Sequence, residues 1–332
     1  MSDGTKIEWT EATWNPITGC SVTSPGCTNC YAMKLAGTRL RNHPSRAGLT
    51  ADSRAGPVWT GETRFNEQWL DQPLRWKRPR MIFVCAHGDL FHESVPDDWI
   101  DRVFAVMTLA PQHTFQVLTK RSGRMQEYLS GFTCDGARRF HVSRAAEVLM
   151  QKWLGEFDWP LRNVWLGVSV EDQKRADERI PDLLATPAAV RWLSCEPLLE
   201  AVDLTKLRRY NPIGKPWINA LSGVVTRGDY LARSPAECSF NTSFRIPGEL
   251  PGIDWIVAGG ESGPGARPMH PDWVRSLRDQ CAAAGVPFFF KQWGNFRPTS
   301  DVNGEYMQRA SKKEAGRLLD GKLHDEMPSA TA

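Results

Sequence analysis

From residue 80 onward the chain repeats one pattern: a short, nearly continuous apolar run, a polar or charged residue that closes it, then an amphipathic stretch. The runs cover residues 81–86, 114–119, 163–168, 190–194, 254–258 and 287–290. Apolarity that does not alternate marks strands covered on both faces, and so predicts a parallel sheet. The stretches between them predict helices. Residues 96–107 space Trp99, Ile100, Val103, Phe104 and Met107 by three and four, with Asp97 and Asp98 in the first turn. Residues 271–284 do the same and end at Gly285, a C-cap position. With a short first strand inside residues 7–16, the alternation predicts an α/β fold. It would be a parallel (β/α) barrel or partial TIM-type barrel of six to seven βα units. An open, doubly wound sheet shares the pattern, because strand closure leaves no periodicity of its own.

Residues 205–252 break the rhythm with Pro, Gly and Ser and no clear period, which predicts an irregular insertion between two βα units. Residues 42–61 form a second irregular region. Neither separates independent cores. The expected organisation is one barrel domain over residues 1–298, then a polar tail over 299–332 with a short helix within 311–319.

Composition changes this picture little. Hydrophobic residues at 41% and charged residues at 24% of 332 are ordinary for a soluble globular chain. No apolar run reaches bilayer length and the start is polar, so a cytoplasmic protein without a membrane partner is expected. A net charge of +3 does not itself argue for nucleic acid. Local basic groups (Arg39, Arg41, Arg46; Arg75, Lys77, Arg78, Arg80; Lys120, Arg121) read equally well as solvated faces. The 14 tryptophans serve either as core or as base-stacking surfaces.

The cysteines change it more. Five of the eight (Cys85, Cys134, Cys195, Cys238, Cys281) are scattered, as small buried hydrophobes are. Cys20, Cys27 and Cys30 share one loop, residues 19–32. Thiolates are soft ligands for zinc or for cluster iron, and the two residues between Cys27 and Cys30 let both sulfurs face one centre. Structural zinc wants four ligands. No second Cys pair or His pair has motif spacing, and His43 and His87 are the nearest candidates for a fourth. Three thiolates on a four-iron cluster would leave one iron open. Cluster, zinc and free thiols all remain compatible with the spacing.

The residues just past the apolar runs form a second constellation: Asp89, Lys120, Glu171, Glu196, Glu261 and Lys291. In a parallel barrel the strand C-termini share the face on which sites are built. The plainer reading makes some of them, with Asp172, helix N-caps or first-turn acids. Gly88, Gly259 and Gly260 beside them would let a ligand approach the backbone.

Taken together, the chain resembles the phage-type three-cysteine proteins of the radical S-adenosylmethionine superfamily. The likeness is carried by Trp14-Asn15-Pro16-Ile17-Thr18-Gly19-Cys20, Cys27-Thr28-Asn29-Cys30-Tyr31-Ala32, Gly88-Asp89-Leu90-Phe91, Leu118-Thr119-Lys120-Arg121, Leu193-Ser194-Cys195-Glu196-Pro197 and Gly259-Gly260-Glu261-Ser262-Gly263. It extends through Phe290-Lys291-Gln292-Trp293-Gly294 and spans nearly all the chain outside the insertion. The gap from Cys20 to Cys27 is longer than that family's usual one, and Asn29 precedes the last cysteine where an aromatic is usual.

The resemblance implies a [4Fe-4S] cluster on Cys20, Cys27 and Cys30 that binds S-adenosylmethionine and cleaves it reductively to a radical that abstracts hydrogen. It implies cofactor contacts from Tyr31, Gly88, Asp89, Lys120, Ser169 and Glu171. Lys120, Glu196, Glu261 and Lys291 would be left for catalysis on the substrate. The expected partners are S-adenosylmethionine, an electron donor and a DNA or nucleotide substrate, with a nucleobase of phage DNA in host cytoplasm as the preferred version. The alternatives are a zinc-stabilised nucleic-acid-binding protein without redox chemistry, and a cluster-binding barrel that does not cleave the cofactor.

Overall fold

The structure is a computed structural model and describes residues 4–133, 136–151, 153, 155–208, 217–225, 250–302 and 304–329. Cys134, Cys238 and most of the expected insertion (209–216 and 226–249) lie outside the described residues.

Seven strands form one sheet: β1 (Ala12–Trp14), β2 (Met81–Val84), β3 (Thr114–Thr119), β4 (Val164–Ser169), β5 (Val190–Cys195), β6 (Trp255–Gly259) and β7 (Phe288–Gln292). Neighbours run parallel, with Trp14 opposite Val84 at one end and Ala258 opposite Phe290 at the other. The spatial order is the chain order. A doubly wound sheet reverses direction at a switch point, and this one does not. Every crossover adds the next strand on the same side, which is barrel winding. β1 and β7 are the two sheet edges, so the barrel is partial. The strands match the apolar runs because both of their faces are buried; β4 and β6 are buried at every position.

Helices fill the crossovers: α1 (Tyr31–Gly37), α2 (Asp97–Leu109), α3 (Ser122–Ser130), α4 (Ala137–Met150), α5 (Gln173–Ala185) and α6 (Pro271–Ala284). α2 buries Ile100, Val103, Phe104 and Met107, the stripe that the spacing predicts, and carries Asp97 and Asp98 in its first turn. α6 ends on Gly285 at φ 67°, a left-handed position where a Cβ would be strained. None of the described helices is long and apolar enough to cross a membrane.

The chain divides into two compact units, Met1–Leu166 with Thr186–Ala189, and Gly167–Ala185 with Val190–Ala332. In the first, Trp14, Phe91, Phe104, Phe115, Tyr128 and Phe132 are all but fully buried, and the Trp14 indole donates to the Trp69 carbonyl at 2.7 Å. In the second, Trp192 and Trp255 meet at 5.5 Å, and a Cβ on Gly167 would come within 2.5 Å of the Trp192 ring.

The C-terminal region departs from expectation. Only Lys312–Ala315 is helical, with Ser311 and Glu314 forming a capping box. Ahead of it, Phe296–Asp301 and Gly304–Arg309 pair as an antiparallel hairpin where a plain polar tail is expected. Its strands are largely exposed and carry no apolar run, which hid them. Beyond it the chain returns to β7: Phe290 N–H donates to the His324 carbonyl, and the Trp255 indole donates to that of Glu326.

Candidate functional site

The first unit brings the cysteine loop against the loop that follows β2. Gly19 opens the cysteine loop at φ 97°, and a Cβ there would lie 2.2 Å from the Glu62 carbonyl oxygen. Its N–H donates to the His87 carbonyl at 3.1 Å, and Gly19 bridges Gly88 in parallel fashion. A Cβ on Gly88 would in turn meet the carbonyl oxygens of Ile17 and Gly19 at 3.0 and 3.1 Å. Two glycines thus let two strand-end loops close backbone to backbone. The loop then makes a single 3-10 turn, Pro25–Cys27, and Cys30 caps α1. Cys20 and Cys30 pack on one apolar cluster of Ala32, Met33, Ala36, Leu49 and Trp59, while Cys27 is buried.

Arg121, at the end of β3, holds this arrangement. Its side chain is 4% exposed. Nη1 donates to Cys20 Sγ at 3.3 Å and to Asp89 Oδ2 at 3.1 Å. Nη2 donates to the Ser21 carbonyl at 3.2 Å and the Ser21 hydroxyl at 2.6 Å, and Nε donates to Glu93 at 3.3 Å. All the N–H donors of the guanidinium are engaged, which rigid fork geometry makes possible and an ammonium could not match.

Asp89 is equally saturated. Oδ1 accepts from Phe91 N–H at 3.0 Å and the Thr119 hydroxyl at 2.7 Å; Oδ2 accepts from Lys120 N–H at 3.1 Å and from Arg121. A carboxylate offers about four acceptor places. Asp89 therefore orders the ends of β2 and β3 and keeps no place for a ligand amine.

An outer set backs the loop. His92 Nε2 meets the Ser21 hydroxyl and its Nδ1 the Ser94 hydroxyl, each at 2.9 Å, and Ser94 meets Thr63 at 2.9 Å. Burial, reinforced by Arg121, lowers the pKa of His92. The cysteines differ among themselves. Burial and then Asp89 push the Cys20 thiol up to about 12 against the pull of Arg121. Burial also opposes ionisation of Cys27, yet Lys120 and hydrogen bonds from Thr23 and Ser24 bring it below its ordinary value.

Among the described residues no group of three His, Cys, Asp or Glu side chains is gathered so as to hold a metal ion. The donor set still suits an anionic iron–sulfur group. The thiols are free and share one loop, Cys20 and Cys30 share one apolar support, and Arg121 and Lys120 are set to offset negative charge. Of the two histidines considered as a fourth ligand, His43 is engaged through Nδ1 by Ser45 at 2.7 Å. His87 is held neutral, its pKa lowered to about 4 by burial and by Arg46. His87 Nδ1 is buried without a hydrogen-bond partner, an orphan acceptor or donor directly before Gly88. The Tyr31 ring stands edge-on to His87 at 5.9 Å, and its hydroxyl donates to the Ala86 carbonyl at 2.7 Å.

The remaining expected site residues belong to the second unit. Glu171, 1% exposed, pairs with Arg179 at 2.9 Å, and Arg179 also donates to the Ser169 carbonyl at 2.8 Å. Asp172 accepts from Arg175 N–H at 2.8 Å just ahead of α5, the capping role of the plainer reading. Glu261 accepts from Arg267 N–H at 2.8 Å and from its guanidinium at 2.6 Å, bracing a loop rather than a helix. Lys291 and Glu196 form a half-buried ion pair at 2.9 Å.

Arg121, Ser21, His92 and Glu93 escaped the sequence reading as site residues. Taking one charged residue past each run selects Lys120 and passes over its neighbour, although Arg121 stands in the same motif. The signal available was the concentration of Asp89, His92 and Glu93 in one short post-strand loop.

A family model described as "Protein of unknown function (DUF5131)" matches residues 4–328, and the chain belongs to that family. No curated protein and no solved structure matches the chain.

Proposed function

We propose that this member of the DUF5131 family is a radical S-adenosylmethionine enzyme acting on a nucleobase, with Cys20, Cys27 and Cys30 as the residues that would hold a [4Fe-4S] cluster. When bound, that group supplies the electron that cleaves the sulfonium of S-adenosylmethionine and so starts hydrogen abstraction. The observation that carries the reading is the buried Arg121 N–H on Cys20 Sγ, within a loop that also sets Cys30 on the same apolar cluster and Cys27 under the charge of Lys120. Such a hydrogen bond stabilises thiolate charge in a low-dielectric site and is a usual support of a metal-bound sulfur.

The chain's own groups divide the remaining work. Asp89 positions Arg121 and Lys120 and does not touch ligand, because its oxygens are filled within the protein. The orphan His87 Nδ1 beside Gly88 offers a neutral imidazole to the amino group of the cofactor. Lys120, whose charge reaches Cys27, is set to meet the cofactor carboxylate.

Protein purified anaerobically is expected to contain about four iron and four sulfide per chain, the stoichiometry of the proposed group. The C20A/C27A/C30A variant should lose both. Reduced with dithionite in the presence of S-adenosylmethionine, the wild type should release 5′-deoxyadenosine. Stoichiometric zinc with no iron would sink the proposal, and an intact cluster without 5′-deoxyadenosine would reduce the protein to a cluster-binding barrel.

A further inference from the structure

At the end of β7 the pairing with β6 slips. Ala258 pairs Phe290 and Gly259 pairs Gln292, so Lys291 is skipped. Consecutive residues of a regular strand point to opposite faces. Here both turn to the same carboxylate: Lys291 Nζ donates to Glu196 Oε1 at 2.9 Å and Oε2 at 3.0 Å, and Gln292 Nε2 lies 3.5 Å from Oε1. Bulges of this kind re-aim side chains next to sites. Gly259, on the strand between them, has no side chain to intervene; a Cβ there would touch Glu196 Cδ and Lys291 Cβ at 3.4 Å.

The cluster is not internally complete. Gln292 is 2% exposed, and its Oε1 is buried without a hydrogen-bond partner. Lys291 spends two of its N–H groups on Glu196 and holds a third, while Glu196 Oε2 keeps an acceptor place. The side chains of Lys291 and Glu196 are 15% and 19% exposed, so this end of the sheet is reachable.

We infer that Glu196, Lys291 and Gln292 form a binding site for the lactam edge of a neutral nucleobase, such as thymine. The chemistry narrows the ligand in three steps. The ion pair cancels its own charge, which favours a neutral partner. One spare N–H is too few to hold a phosphate, whose oxygens call for several donors. Lys291 Nζ lies within 3.0 Å of both Glu196 oxygens, so a ligand that meets its spare N–H and the spare acceptor place of Glu196 together presents C=O and N–H on the same edge. A lactam, being a cis amide, does this; a trans peptide bond directs the two groups oppositely. Lys291 then donates to the base carbonyl, and the base N–H donates to Glu196 Oε2 or Gln292 Oε1. The site deepens the substrate part of the function proposed above, and rests on that reading only for the choice of a base as the lactam.

Calorimetric titration of the full chain, without S-adenosylmethionine, tests this apart from the cluster chemistry. Thymidine should bind, and N3-methylthymidine, which lacks the N–H, at least tenfold more weakly. Inorganic phosphate and N-methylacetamide should give no binding. Q292M should weaken thymidine at least tenfold. So should the double variant E196Q/K291M, used because K291M alone strands a carboxylate. Equal binding of thymidine and its N3-methyl form, no thymidine binding, or unchanged affinity in both folded variants would overturn the inference. Each of these results leaves the 5′-deoxyadenosine assay standing.

Discussion

Arg121 and Asp89 show how a buried charge pair is made tolerable by complete hydrogen bonding. Their side chains are 4% and 6% exposed, and each is saturated by groups from the loops after β1, β2 and β3. Removing one partner leaves the other charged and unsolvated, which typically costs 3–5 kcal/mol. R121M should therefore lose about 3 kcal/mol in urea unfolding and, on the proposed function, most of the iron found in the wild type after anaerobic purification. R121K, with charge but without the fork, should fall between the two.

His87 gives a pH dependence with a definite sign. Burial lowers its pKa from 6.5 to about 4, so the folded chain takes up this proton later than the unfolded chain does. The stability it contributes is complete above pH 6.5 and is lost as the pH falls through 4. The span corresponds to about 3 kcal/mol at most. Urea midpoints measured from pH 7 to pH 4 should fall less steeply in H87F than in the wild type; parallel profiles would refute the assignment.

Among the elements, the cysteine loop depends on backbone conformation as much as on its sulfurs. Gly19 has φ 97° and no space for a Cβ. G19A should destabilise the protein by about 1–3 kcal/mol and, on the proposed function, lower the iron content, because loop closure on Gly88 fails although all three cysteines remain. Thermal melting together with iron analysis checks both. The strands were the most legible elements, since a strand covered on both faces must be apolar along its length. The hairpin of residues 296–309 was the least legible: its exposed strands need no apolar pattern, and only the Asn303-Gly304 dipeptide hinted at a turn.

For the molecule as a whole, the ends of the sheet matter. β7 is an edge, and in the second unit the segment from His324 to Glu326 lies along it: Phe289 bridges Asp325, and Glu326 accepts from Phe288 N–H at 3.0 Å. Uncovered edges recruit other chains. Truncation after Gly321 should give a protein that self-associates, visible as a concentration-dependent shift in light scattering. A monodisperse truncated protein would show that the edge is protected by other means.

The apolar runs determined that the sheet is parallel and where along the chain its strands lie, because burial on two faces is written into consecutive residues. The cysteine loop and the charged strand ends were likewise present in the sequence as residue types at positions. Tertiary structure alone decided the rest. Strand order without reversal separated the partial barrel from a doubly wound sheet, a difference in which elements meet rather than in what they are made of. The sulfur of Cys20 found its buried partner in Arg121, about a hundred residues along the chain. Asp89 turned from a candidate ligand into a girder because four donors from separate segments reach it at once. Periodicity records burial, which is a property of single positions. Hydrogen-bond saturation and register slips depend on pairs of distant positions, and only the folded chain brings those together.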